Sequence, residues 1–82
     1  MLKTNKPIAI NHPMADQISI QDSEHHYCTP GVSSEIAFFM NRKWVTDPIA
    51  PFAEYHEAAY DTAVYGHVPN ELIESFLEEY KA

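Results

Sequence analysis

The chain is poor in the residues from which most small functional motifs are built. It has one cysteine, Cys28, in 82 residues, which excludes an intrachain disulfide and fits a reducing compartment. Its two glycines, Gly31 and Gly66, lie far apart, so no glycine-rich loop for cradling phosphate can be written. Basic residues are scarce, with five lysines and arginines against twelve acids. Binding to nucleic acid or to an anionic membrane surface relies on such cations, so neither is expected. No apolar run approaches the roughly 20 residues of a membrane-spanning helix. The run after Lys3 and Lys6, Ile8-Ala9-Ile10, also falls short of the about 7–15 apolar residues of a signal peptide. A cytoplasmic location is the expectation.

What is present is enough for one core. Hydrophobic residues make up 45% of the chain and aromatic residues 12%, above the range of a disordered tail. A chain of this length buries roughly 60–65% of the surface its unfolded form exposes, which leaves little room for a deep cavity. One domain over residues 1–82 is expected, with the polar residues 1–7 at its margin.

The patterning predicts an α+β fold, a small antiparallel sheet of three to five short strands with a C-terminal amphipathic helix packed on one face. Ile8-Ala9-Ile10 reads as a short strand stopped by Asn11-His12-Pro13, because the residue before a proline avoids the helical region. Gln17-Ile18-Ser19-Ile20-Gln21 alternates with the period of a half-buried strand. After a turn at Asp22-Ser23-Glu24, His25-His26-Tyr27-Cys28 reads as its return, ended by Thr29-Pro30-Gly31. Glu35 to Met40 is rich in strand formers. With Lys43 to Thr46 it predicts a tight hairpin in which Asn41 takes a left-handed backbone conformation. Pro51 to Tyr60 carries Phe52, Tyr55, Ala59 and Tyr60 at helical spacing and predicts a short helix, with an ordered loop as the alternative. Thr62 to Tyr65 reads as a strand closed by Gly66. Leu72, Ile73, Phe76, Leu77 and Tyr80 define one face of a final helix, started by Pro69 and Asn70.

Candidate chemistry is sparse. His26 and Cys28 fall on one face of a strand while His25 points to the other. Two ligands fall short of the about four of a structural zinc site, and no CxxC or HxxxH pair occurs. Surface histidines and a small buried thiol explain these residues far better than a metal site does, so no metal and no cofactor is expected. Cys28 as a nucleophile would need a histidine brought to it in space, and no glycine-rich elbow adjoins it. The aromatic residues Phe38, Phe39, Trp44, Tyr55 and Tyr65 read more readily as core than as a ligand-stacking surface.

Charge is the feature with functional content. Acids and bases balance from Met1 to Val45, so the net charge of −7 resides in the residues from Thr46 onward, where Lys81 alone opposes eight acids. Glu71, Glu74 and Glu78 are spaced to line one helix face, with neighbours about 5–6 Å apart at Cβ. Glu54, Glu57 and Asp61 are candidates to extend that patch. Glu78 and Glu79 sit where the helix dipole favours cations, with no lysine pair expected to offset them. A solvated face kept for solubility explains the stripe without function. The functional expectation is a non-enzymatic interaction module that binds a basic surface on a larger nucleic-acid-handling protein. In size and charge the chain resembles phage-encoded inhibitors that act as nucleic-acid mimics. One alternative is a structural or assembly subunit, or a homodimer, joined through the apolar second face of the Ile36–Met40 strand. The other is a small metal protein using His26 and Cys28.

Overall fold

A computed structural model of the chain describes residues 7–21, 29 and 31–82. The strands β1 (Ile8–His12), β2 (Ala15–Gln21), β3 (Ser33–Met40), β4 (Lys43–Trp44), β5 (His56–Ala59) and β6 (Thr62–Pro69) precede one helix, α1 (Asn70–Tyr80). They form one antiparallel sheet in the order β1-β2-β3-β6-β5, with β4 pairing the far end of β3. The helix lies on one face of it, so the fold is α+β as the patterning predicts. The reading of His25 to Cys28 as a strand lies outside the described residues.

Alternation decides which face is buried. Ile18 and Ile20 of β2, Ile36 and Phe38 of β3 and Tyr65 of β6 point to the helix side and are closed off from solvent. Phe38 is central. Its ring meets Tyr65 at 5.4 Å, Phe76 of α1 at 5.5 Å and Phe52 at 6.0 Å between centroids. The Tyr65 and Phe76 contacts are edge-on, and such pairs add about 0.5–1.5 kcal/mol beyond the area they bury. Ile73 and Phe76 are the helix residues inside this core, with Leu72, Leu77 and Tyr80 packed at its border.

The turns follow from residue chemistry. In the β3–β4 hairpin both Asn41 (φ 53°) and Arg42 (φ 66°) are left-handed. Two positive φ angles in a two-residue loop are the type I′ arrangement that matches strand twist. The Asp16 carboxylate accepts the Asn41 backbone N–H at 3.1 Å and ties that turn to β2. The β1–β2 turn is carried by Pro13 and Met14, and Met14 donates its N–H to Nδ1 of His12 at 3.0 Å.

Three expectations are corrected. Residues 51–60 are not a helix. Ala53–Tyr55 is a single 3-10 turn and His56–Ala59 is strand β5, paired with β6. The apolar residues that set the helical spacing serve different surfaces, since Phe52 is buried and Tyr60 at the β5–β6 turn is wholly exposed. The strand at Thr62 also does not close at Gly66. It runs on to Pro69 through a bulge, because β6 spends three steps from Tyr65 to Val68 where β3 spends two from Ile36 to Ser34. His67 takes a positive φ of 54° there, and the extra residue lets both Tyr65 and Val68 reach the core. Finally, the Asn70 side chain does not cap α1. Its Oδ1 accepts the hydroxyl proton of buried Ser34 at 2.6 Å, and its N–H donates to the Val32 carbonyl at 3.1 Å.

Candidate functional site

The segment between β4 and β5 shapes the surface beside the helix. Ile49 and Phe52 are buried, and the Tyr65 hydroxyl receives the Ile49 N–H at 3.1 Å while facing the Asp47 carbonyl at 3.4 Å. Burial pushes the Tyr65 pKa up, with the Ile49 hydrogen bond opposing that shift and Asp47 adding to it. The segment is thereby held against the core, and Ala50 and Pro51, joined by a cis peptide bond, come to lie beside α1.

The outer side of α1 carries the acids. Glu71, Glu74, Glu78 and Glu79 line one open depression with Ser75, and all five residues are exposed. No basic residue lines it. Lys81 pairs with Glu78 at 3.1 Å through two exposed side chains, which corrects the expectation that no lysine offsets the stripe. An exposed pair of this kind contributes about 0–1 kcal/mol and leaves the other glutamates as they were. Successive glutamates are about 5–6 Å apart at Cβ, less than the Debye length of about 8 Å at physiological salt, so their potentials reinforce one another.

The remaining candidates do not join this surface. Glu57 is the cross-strand partner of Val64, and directly paired residues share a face. His56, one residue earlier, is paired with core-facing Tyr65, so Glu57 points to the side of the sheet away from α1. Asp61 lines a depression at the hairpin tips together with Arg42, Lys43, Trp44 and Tyr60. Glu54 is exposed in the 3-10 turn. The acids after Thr46 are thus divided among separate surfaces, and the cations Arg42 and Lys43 face Asp61 rather than the helix.

A second depression of about 300 Å³ adjoins the acidic one and shares Ser75 and Glu79 with it. Its walls are Pro51, Leu72, Phe76 and Tyr80. The Tyr80 ring is braced by Phe76 at 4.7 Å and by His12 at 4.6 Å. Hydrogen bonding to Glu79, followed by burial, pushes the Tyr80 pKa up. Pattern reading missed this notch because it assigned residues 51–60 to a helix, and the notch exists only where Pro51 docks as a loop. Glu79 joins Glu71, Glu74 and Glu78 in the depression, although the i, i+3, i+7 spacing alone does not select it.

The open face of the sheet is less charged. The Phe39 ring of β3 packs at a tilt against Trp44 of β4, 4.9 Å between centroids, and Trp44 remains 40% exposed. Among the described residues, no group of three or more His, Cys, Asp or Glu side chains is placed to hold a metal. His25, His26 and Cys28 lie outside the described residues. Also among the described residues, no helix is long and apolar enough to cross a membrane.

No protein-family model, curated protein or solved structure matches the chain.

Proposed function

We propose that this chain is a non-enzymatic interaction module whose acidic helix face docks on a basic surface of a larger, nucleic-acid-handling protein. The observation that carries this reading is the convergence of Glu71, Glu74, Glu78 and Glu79 on one exposed depression lined by no cation. Rows of carboxylates at this spacing offer a basic groove the same charge pattern as a phosphate backbone, and such complementarity raises association rates and selects partners. The helix that presents them is fixed to the core by Ile73 and Phe76, so little ordering is needed on binding.

The test is affinity capture from a host lysate with mass spectrometry, run in parallel with a Glu71→Gln/Glu74→Gln/Glu78→Gln variant. Those side chains are solvent-exposed, so circular dichroism should be unchanged. A cationic protein retained by the parent chain and lost by the variant supports the proposal. Equal retention by both refutes it.

A second reading is favoured by the Phe39–Trp44 pair on the open sheet face. There the chain would be an assembly subunit or a homodimer joined through apolar surface. Ionic strength separates the two readings, because apolar docking persists at salt concentrations that screen exposed charges.

A further inference from the structure

We infer that the notch beside α1 receives an aromatic side chain from the partner, so that the segment recognised is a basic stretch of chain with one aromatic anchor. This rests on the reading of the acidic face given above. The notch is apolar on its walls, at Pro51, Leu72, Phe76 and Tyr80, and its volume of about 300 Å³ is at the lower limit of small-molecule sites. That is room for one large side chain. Its rim is acidic, and Ser75 and Glu79 belong to both the notch and the glutamate depression. An aromatic residue seated in the notch therefore brings its chain neighbours directly over the carboxylates, where lysine or arginine is favoured and an anion is repelled. The site is also prepared in advance. His12 and Phe76 fix the Tyr80 ring, and the contact of Phe52 with Phe76 at 5.0 Å holds the Pro51 loop against the helix. A preformed aromatic wall lowers the ordering cost of binding, and a buried aromatic anchor among near-neutral contacts is the usual source of affinity in small interfaces.

The experiment uses the whole chain and two amidated peptides, Lys-Lys-Phe-Lys-Lys and Lys-Lys-Ala-Lys-Lys, titrated calorimetrically at an ionic strength of about 0.15 M. The phenylalanine peptide should bind at least about tenfold more tightly, the factor expected from burying one aromatic side chain. Ala50→Phe, which fills the notch from the loop side and lies outside the glutamate depression, should erase that preference and keep the weaker alanine-peptide affinity. Leu72→Trp closes the same notch from the helix side, also outside the glutamate depression, and replaces it if Ala50→Phe does not fold. If both peptides bind equally and the Glu71→Gln/Glu74→Gln/Glu78→Gln variant loses both, the acidic face stands and the anchor notch is wrong. If neither peptide binds, both are wrong. A second copy of the chain is the rival occupant, since its exposed Tyr60 lies beside Arg42 and Lys43. Concentration-dependent self-association abolished by Tyr60→Ala would assign the notch to that copy and overturn the inference.

Discussion

Tyr65 and His12 show how single side chains hold the surface in place. The Tyr65 hydroxyl is the hydrogen-bond partner of the buried Ile49 N–H, and an orphaned buried donor costs about 1–3 kcal/mol. Tyr65→Phe keeps the ring in the core, so urea unfolding should lose about that amount with an unchanged denaturant slope. A loss within error of zero would mean that the hydroxyl does not anchor the loop. His12 accepts the Met14 N–H at Nδ1, which requires the neutral ring. Burial lowers its pKa below the ordinary 6.5, with Glu79 opposing that shift. In the unfolded chain His12 takes up its proton first as pH falls. Its contribution is therefore complete above about 6.5 and declines as pH drops through the lower folded value. Parent and His12→Phe proteins should differ less in stability below that window than above it. A gap that widens on acidification would contradict this assignment.

At the scale of elements, strong periodicity was legible and local irregularity was not. The Ile18-Ser19-Ile20 alternation, the Asn41 hairpin and the Leu72–Tyr80 face all formed as their patterns require, because in each the burial demand and the backbone preference agree. Residues 51–60 failed because Phe52, Tyr55 and Tyr60 match a helical period while serving separate surfaces. The sequence carries no mark of where the chain will be pinned by Tyr65. Gly66 reads as a stop, yet it belongs to a bulge in which β6 carries one more residue than the β3 segment it pairs. The glutamate face of α1 was visible because one helix sets its spacing. The notch was not, because it needs a loop from elsewhere. The strand-to-helix corner offers a direct check. Asn70→Ala strips the acceptor from the buried Ser34 hydroxyl, and should cost about 1–3 kcal/mol. Ser34→Ala combined with Asn70→Ala should recover part of that loss, and a strictly additive double variant would show that the two groups are uncoupled.

Across the whole molecule, a chain of net charge −7 attracts cations whatever its shape, so the distribution of that charge is what matters. The sheet separates Glu57 from the helix, and Asp61 shares its surface with Arg42 and Lys43. Among the described residues, the helix glutamates are the acids that share one depression, with Lys81 pairing Glu78 at its end, which makes position separable from net charge. The decisive measurement is the affinity of an oligolysine peptide, as a function of salt, for two variants carrying the same charge change. One is Glu71→Gln/Glu74→Gln/Glu78→Gln and the other is Glu54→Gln/Glu57→Gln/Asp61→Asn. The helix variant should bind at least about tenfold more weakly than the parent at about 0.15 M ionic strength and lose most of the salt dependence, while the second variant stays within about threefold of the parent. Equal weakening of the two would mean that the peptide senses only total charge and that the helix face is not a docking surface.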